Sequence, residues 1–171
     1  MHSVLSGQSY RLATFADLPR IVEIYNSTVP SRQVTADLEP VTVESRIQWF
    51  HEHLPESRPL WVIEANAQVI AWLSFSSFYG RPAYCHTVEL SLYVEESVRR
   101  SGLGTYLLRE AIAHAPRLKV NRLLAFVFGH NTPSLALFEK QGFECWGGLP
   151  GVAVLDGAQK DLLILGYAVQ A

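Results

Sequence analysis

The chain has 171 residues, of which 49% are hydrophobic and 18% charged, and a formal net charge of −2. That length suits one domain around one core, and the composition is that of a compact folded protein, not a disordered or fibrous one. The charge balance argues against a general attraction to nucleic acid or anionic membrane, no apolar run is long enough to span a bilayer, and Cys85 and Cys145 are too few for a disulfide framework.

Met1 to Tyr10 carries no cationic segment followed by a long apolar run, so the expected compartment is the cytoplasm, with both thiols reduced. Leu12-Ala13-Thr14 closes a short first strand. Ala16-Asp17-Leu18-Pro19 reads as a helix start, with Ile21, Val22, Ile24 and Tyr25 on one apolar face of a helix over 16–27. Ser27 to Pro40 is rich in Ser, Thr and Pro and reads as a loop. A second helix is expected around Val43 to His53, with Ile47, Trp49 and Phe50 available for packing, before Pro55. Leu60 to Glu64, Gln68 to Phe78 and Tyr84 to Val94 then read as an antiparallel meander, turning at Ala65-Asn66-Ala67 and around Gly80-Arg81-Pro82.

The segment that follows the third of these strands is the most telling. Val98-Arg99-Arg100-Ser101-Gly102-Leu103-Gly104-Thr105 places two cations and two glycines directly before a helix whose apolar face is Leu103, Leu107, Leu108, Ala111, Ile112 and Ala115. Glycines let backbone approach a ligand closely, and the free amides of a helix start favour phosphate oxygens, with Arg99 and Arg100 adding charge. No Gly-Lys-Ser/Thr follows, and the three-glycine dinucleotide fingerprint is incomplete, which leaves a coenzyme A phosphate site. The bland alternative is an ordinary glycine turn with solvated arginines. Downstream, Arg122 to Phe128 reads as a strand and Thr132 to Gln141 as a helix capped by Gly142. Strands at about Phe143 to Gly147 and Asp161 to Tyr167 finish the chain, separated by Gly148 to Gly157.

This order of strand, Arg-Arg-Ser-Gly-Leu-Gly, helix, strand, Asn131, helix and Gly142-Phe143 resembles the acetyl-CoA-binding half of the GNAT superfamily of N-acetyltransferases. Ile24-Tyr25-Asn26, Trp49-Phe50, Ala83-Tyr84, Thr87-Val88-Glu89 and Leu92-Tyr93-Val94 resemble more specifically its phosphinothricin and amino-acid N-acetyltransferase branch, over about Ala13 to Gly147. The resemblance implies an α/β fold of one domain spanning 1–171, with a mixed, mainly antiparallel sheet flanked by helices and splayed to admit acetyl-CoA. It implies acetyl transfer to a primary amine in a ternary complex, and a homodimer. Leu92, Tyr93 and Val94 would hold the pantetheine arm through their backbone. The turn Arg99, Arg100, Ser101, Gly102, Leu103, Gly104 and Thr105 would hold the pyrophosphate, with Asn131 and Ser134 adding polar contacts to the arm.

Glu89 is the expected general base. An amine attacks only when neutral, so a carboxylate must reach its proton, and partial burial in a central strand would raise that carboxylate's pKa toward neutrality. Many GNAT enzymes have a Tyr as candidate acid for the departing thiolate and the phosphinothricin branch commonly has His there, but the matching residue here is Phe138, so no general acid is assigned. The loop before Thr87-Val88-Glu89 reads Ser77-Phe78-Tyr79, with Arg81 displaced by two positions from the branch's basic residue. An apolar or less anionic acceptor pocket lined by Phe75, Phe78, Tyr79 and Tyr84 is therefore expected. Trp49, Trp61, Trp72 and Trp146 read as packing residues, with Trp146 at a subunit contact. Neither Cys85-His86 nor His51-x-His53 forms a convincing metal pattern, so no metal is expected. Two other readings stay open: acetylation of a protein amine, and a non-catalytic acetyl-CoA sensor.

Overall fold

A computed structural model describes residues 9–170, so the reading of Met1 to Gln8 lies outside the described residues. The strands are β1 (Tyr10–Leu12), β2 (Leu60–Ala65), β3 (Gln68–Ser77), β4 (Thr87–Val94), β5 (Arg122–Phe128), β6 (Glu144–Leu155) and β7 (Ala158–Ala168). The helices are α1 (Leu18–Asn26), α2 (Ile47–His51), α3 (Leu103–His114) and α4 (Thr132–Lys140). The strands form one sheet in the order β1-β2-β3-β4-β5-β7-β6, in which β4 and β5 are parallel and every other neighbouring pair is antiparallel.

Alternation along β3 and β4 divides the molecule into two layers. Leu73, Phe75, Val88 and Leu90 pack with Leu103, Leu107, Leu108 and Ala111 of α3. The opposite face carries Val62, Val69 and Trp72, which pack with Ile21 and Ile24 of α1, with Trp49 and Tyr93 against that cluster. On β4 the same parity puts Glu89, Ser91 and Tyr93 on the α1 side of the sheet.

The β4–β5 pairing stops early. Thr87, Val88 and Glu89 pair with Arg122, Leu123 and Leu124, and beyond this the two parallel strands diverge. The β4 edge facing β5 from Leu90 onward therefore lacks a strand partner, while its other edge stays paired to β3 as far as Val94. This is the expected splay, and it opens directly beside Glu89.

The C-terminal hairpin departs from the sequence expectation. Gly148 to Leu155, read as connecting chain, belongs to a twelve-residue strand. Asp156 and Gly157 both take positive φ, 48° and 80°, which is the geometry that joins two antiparallel strands in a two-residue turn. Leu149-Pro150-Gly151 interrupts the alternation, and an irregularity between Leu149 and Ala153 absorbs it. Pro150 is tolerated because β6 is the sheet edge. Trp146 lies over Gly166, where any Cβ would come within 2.0 Å of the indole.

Candidate active site

Two cavities meet at β4. The larger, about 420 Å³, follows the splay between β4 and β5 and is bounded by Asn131, which precedes α4, and by Ser134 and Phe138 of α4. The smaller, about 230 Å³, lies over the α1 face and is walled by Tyr25, Trp49, Trp72 and Tyr93. Glu89, Ser91 and Tyr93 line both. The last paired residue before the strands part is thus also the carboxylate shared by the two cavities.

Glu89 is partly buried, and this burial raises its pKa above the ordinary carboxylate value. Its direct cross-strand neighbour is Ser76, whose hydroxyl lies 3.4 Å from His53 Nε2. His53 Nδ1 is 2.7 Å from the carbonyl oxygen of Trp49. A carbonyl only accepts, so Nδ1 carries the proton and Nε2 is left to accept from Ser76. Burial pushes the pKa of His53 down, which keeps the ring neutral. Tyr93 stacks on Trp72 at 4.5 Å between ring centres and lies 5.2 Å from Tyr25. Its phenol is raised, chiefly by burial.

The wall opposite β4 is tied down by α1. Asn26 donates from Nδ2 to the Val41 carbonyl at 2.8 Å and accepts the Val41 N–H at 2.9 Å. Tyr25 bonds through its hydroxyl to Thr35 and Asp37, and Arg46 donates to Asp37 at 3.1 Å. These links bring residues 35–46 over the chamber.

At the other end of the splay, the turn before α3 has the backbone of an anion nest. Arg100 has φ 62° and Gly102 φ 90°, and Gly102 is the N-cap of α3. The first helical N–H groups that follow have no acceptor within the helix. Arg99 and Arg100 are exposed, and Arg99 Nε donates to the Val94 carbonyl at 3.2 Å, tying the turn to the end of β4. The Ser101 hydroxyl donates to Val98 O at 2.6 Å. Leu103 is buried in the core, so only its backbone faces the turn. A Cβ on Gly104 would sit 3.1 Å from Leu137 and 3.6 Å from Leu92, so glycine lets α3 approach both α4 and β4. Asn131 caps α4, its Oδ1 accepting the Ser134 N–H at 3.3 Å, and Nδ2 is left without a protein partner among the described residues.

Phe138 is buried against Phe143, with ring centres 5.0 Å apart, and offers no proton. Its ring instead closes the α4 end of the larger cavity.

The expected aromatic lining is corrected in part. Phe75 is fully buried and packs edge-on to Trp61 at 5.0 Å, on the α3 side of the sheet, because its position on β3 has the parity opposite to Trp72. Phe78, Tyr79 and Tyr84 cluster with one another outside both cavities, with Phe78 4.3 Å from Tyr79 and 5.4 Å from Tyr84. The positive φ of Tyr79 and Gly80 turns the chain away from the sheet there, and Tyr79 is 77% exposed. The chamber's aromatic walls are Tyr25, Trp49, Trp72 and Tyr93. The available signal was the Trp72-x-Ser74-x-Ser76 alternation, in which an indole shares a strand face with two hydroxyls.

The acetyltransferase (GNAT) family pattern matches residues 18–143. The chain belongs to the GNAT acetyltransferase family. It is 57% identical to YwnH of Bacillus subtilis, a candidate phosphinothricin acetyltransferase, across 91% of this chain and 96% of that one. It is 31% identical to the L-methionine sulfoximine/L-methionine sulfone acetyltransferase of Pseudomonas aeruginosa, across 92% of each. The crystal structure of a GNAT superfamily phosphinothricin acetyltransferase from Sinorhizobium meliloti in complex with acetyl-CoA superposes with a TM-score of 0.88 at 27% identity, covering 95% of this chain and 88% of that one. The splayed sheet is therefore the GNAT fold, and acetyl transfer is the chemistry of the family. No helix among the described residues is long and apolar enough to cross a membrane.

Proposed function

We propose that this chain, folded as one domain, transfers acetyl from acetyl-CoA to the primary amine of a small molecule, an amino acid or amino-acid analogue, with Glu89 as general base. The observation that supports this most is the placement of one partly buried carboxylate on the walls of both cavities, beside the point where β4 and β5 part.

Bound acetyl-CoA supplies an activated acyl carbon, to which the amine nitrogen bonds as the carbon–sulfur bond breaks. The chain's part is to hold both reactants and to take a proton. The substrate ammonium has no lone pair to attack with. Glu89 accepts its proton, directly or through one water, and the pKa raised by burial makes the carboxylate a stronger base for this than an exposed one. The unpaired edge of β4 around Leu92, Tyr93 and Val94 offers backbone groups to the pantetheine arm, and an N–H there can stabilise charge developing on the carbonyl oxygen. Arg99, Arg100 and the amides from Ser101 to Thr105 hold the pyrophosphate, and Asn131 Nδ2 and Ser134 meet the arm. The second proton, which the nitrogen loses once the carbon–nitrogen bond has formed, passes through water to the departing thiolate or to solvent, since Phe138 offers no acid at that position.

Two copies form the working unit in this reading. Trp146, Leu149, Val152 and Val154 are exposed on the edge strand β6, where an apolar row beside unpaired backbone suits burial against a second copy. Sedimentation at micromolar concentration checks this.

The decisive experiment measures CoA release from acetyl-CoA with amino acids, amino-acid sulfones, phosphinothricin, polyamines, arylalkylamines and a peptide N-terminus, for the wild type and Glu89→Gln. Release that needs a small amine and falls in the variant is the expected result. Release with the peptide alone, or acetyl-CoA binding with no release, overturns the proposal in favour of a protein acceptor or a sensor.

A further inference from the structure

The smaller cavity holds one feature that acetyl transfer to an amine does not require. Among the described residues, Arg46 and Glu89 are the charged side chains on its wall, one of each sign. The rest of the lining is Tyr25, Trp49, Trp72, Tyr93, Ser91 and aliphatic groups. An arginine placed among aromatics, beside a cavity shared with the carboxylate of Glu89, can take an anion from the cavity in addition to its partner Asp37.

The guanidinium is held in place from one side. Nη2 donates to Asp37 Oδ2 at 3.1 Å, and Cζ lies 5.0 Å from the centre of the Tyr25 ring, within cation–π range. The Tyr25 hydroxyl donates to the same Asp37 oxygen and also bonds Thr35, which fixes the ring that the guanidinium rests on. Among the described residues Arg46 has no other hydrogen-bond partner, so Nε and Nη1 keep their N–H groups unused. Asp37 itself does not line the cavity. No competing cation lines this cavity: Arg81 of the β3–β4 connection is exposed outside it, and Arg58, which precedes β2, is committed to Ser77 and Cys85.

We propose that Arg46 binds the α-carboxylate of the acceptor, so that the chamber is matched to a zwitterionic α-amino acid: ammonium toward Glu89, carboxylate toward Arg46, side chain against Trp49 and Trp72. This rests on the reading of the chamber as the amine site. Nε and Nη1 lie on different edges of the guanidinium, so a carboxylate pairs with one of them together with the second N–H of Nη2, and this charged planar edge suits a carboxylate better than a neutral amide or a phenol. Arginine stays charged across the pH range in which Glu89 titrates, so the anchor and the base work independently. A cavity of about 230 Å³ is also small beside the range of about 300–1,000 Å³ usual for larger ligands, as fits a single amino acid.

The test compares L-methionine sulfone, L-phenylalanine, L-leucine and L-glutamate with their α-carboxamides, for the wild type, Arg46→Gln and Arg46→Lys. The amine of a carboxamide is less basic and more often neutral, so a preference for the free acid cannot come from amine reactivity. The wild type is expected to favour its best amino acid over that acid's carboxamide by about 30-fold in kcat/KM, in line with the worth of a charge-assisted pair. Arg46→Gln is expected to lose about 30-fold on the acid, chiefly in KM, but less than about 3-fold on the carboxamide, and to keep the acidic limb of the pH profile. Arg46→Lys should recover part of the loss, as a point charge without the planar fork. Equal losses on acid and carboxamide would make Arg46 a structural tie to Asp37 and overturn the inference, as would a wild type indifferent to the carboxylate. Absence of turnover with every small amine, despite acetyl-CoA binding, overturns the amine-site reading and this inference together; turnover of carboxamides without acid preference overturns this inference alone.

Discussion

The proposed phosphate cradle before α3 and the chamber over α1 are made in opposite ways. That cradle is seven consecutive residues, Arg99 to Thr105, whose proposed binding groups are mainly backbone amides beside the left-handed conformations of Arg100 and Gly102. The chamber is made of side chains gathered from α1, the 41–49 segment, β3 and β4. A site made of backbone fixes what it binds through local geometry and tolerates many side-chain changes. A site made of side chains from four segments can change its acceptor by single substitutions while the fold stays the same.

The sharpest way to break this contrast is Glu89→Gln, which removes a carboxylate that lines the chamber and not the cradle, and keeps its size. We expect kcat/KM for the amine to fall by about 10²–10⁴-fold, the range typical of a lost general base. Acetyl-CoA affinity, measured by calorimetry, should stay within about 2-fold, because the cradle is separate. In the wild type the acidic limb of kcat/KM should lie above the ordinary carboxylate range, since burial raises Glu89, and activity should rise as pH increases through it. A Gln variant that keeps both the rate and the limb would remove Glu89 from the chemistry.

The same contrast explains what could be read from the chain. The turn into α3 was legible because its signal is contiguous: two glycines, two arginines and an amphipathic helix in one stretch. The strand parity that places Glu89 is equally local. The chamber was not legible, because Trp49 and Trp72 carry the same apolar signal whether they pack in a core or wall a cavity, and only the tertiary fold brings them to Tyr25. Phe75 was misplaced by that ambiguity in reverse, its parity sending it to the α3 core. In the C-terminal hairpin, Pro150 and Gly151 masked a strand whose real turn signal was Asp156-Gly157.

Gly102→Ala tests the backbone half of the contrast. At φ 90° an alanine pays the left-handed penalty of about 1–2 kcal/mol, which should appear as a lower Tm together with weaker acetyl-CoA binding. Gly102→Asn should cost less, because asparagine enters this region more readily. If the two variants behave alike, the turn's geometry is not what the site depends on. The charges of the cradle come next in size. Arg99 and Arg100 are exposed, so replacing both with Gln should weaken acetyl-CoA by about 5-fold per charge at most, a difference that should collapse in about 0.5 M salt. A salt-insensitive loss would mean that these side chains act through fixed geometry, as the chamber's do.

The smallest expected effect is one of stability, at the chamber's carboxylate. Burial raises the pKa of Glu89, so at neutral pH the folded chain holds a carboxylate that would sooner be protonated, whereas the unfolded chain ionises it freely. The unfolded state therefore binds fewer protons at this site, and stability should decline as pH rises from the ordinary carboxylate value through the folded one. Glu89→Gln removes that ionisation. Its Tm should exceed that of the wild type at neutral pH, by less than about 2 kcal/mol of stability, and the gap should close below the unfolded carboxylate pKa, where both side chains are neutral. Thermal melts at several pH values check this. A gap that stays constant across pH would show that Glu89 gains a compensating partner in the folded chain, and a base so compensated would no longer be the destabilised group on which the proposed proton transfer relies.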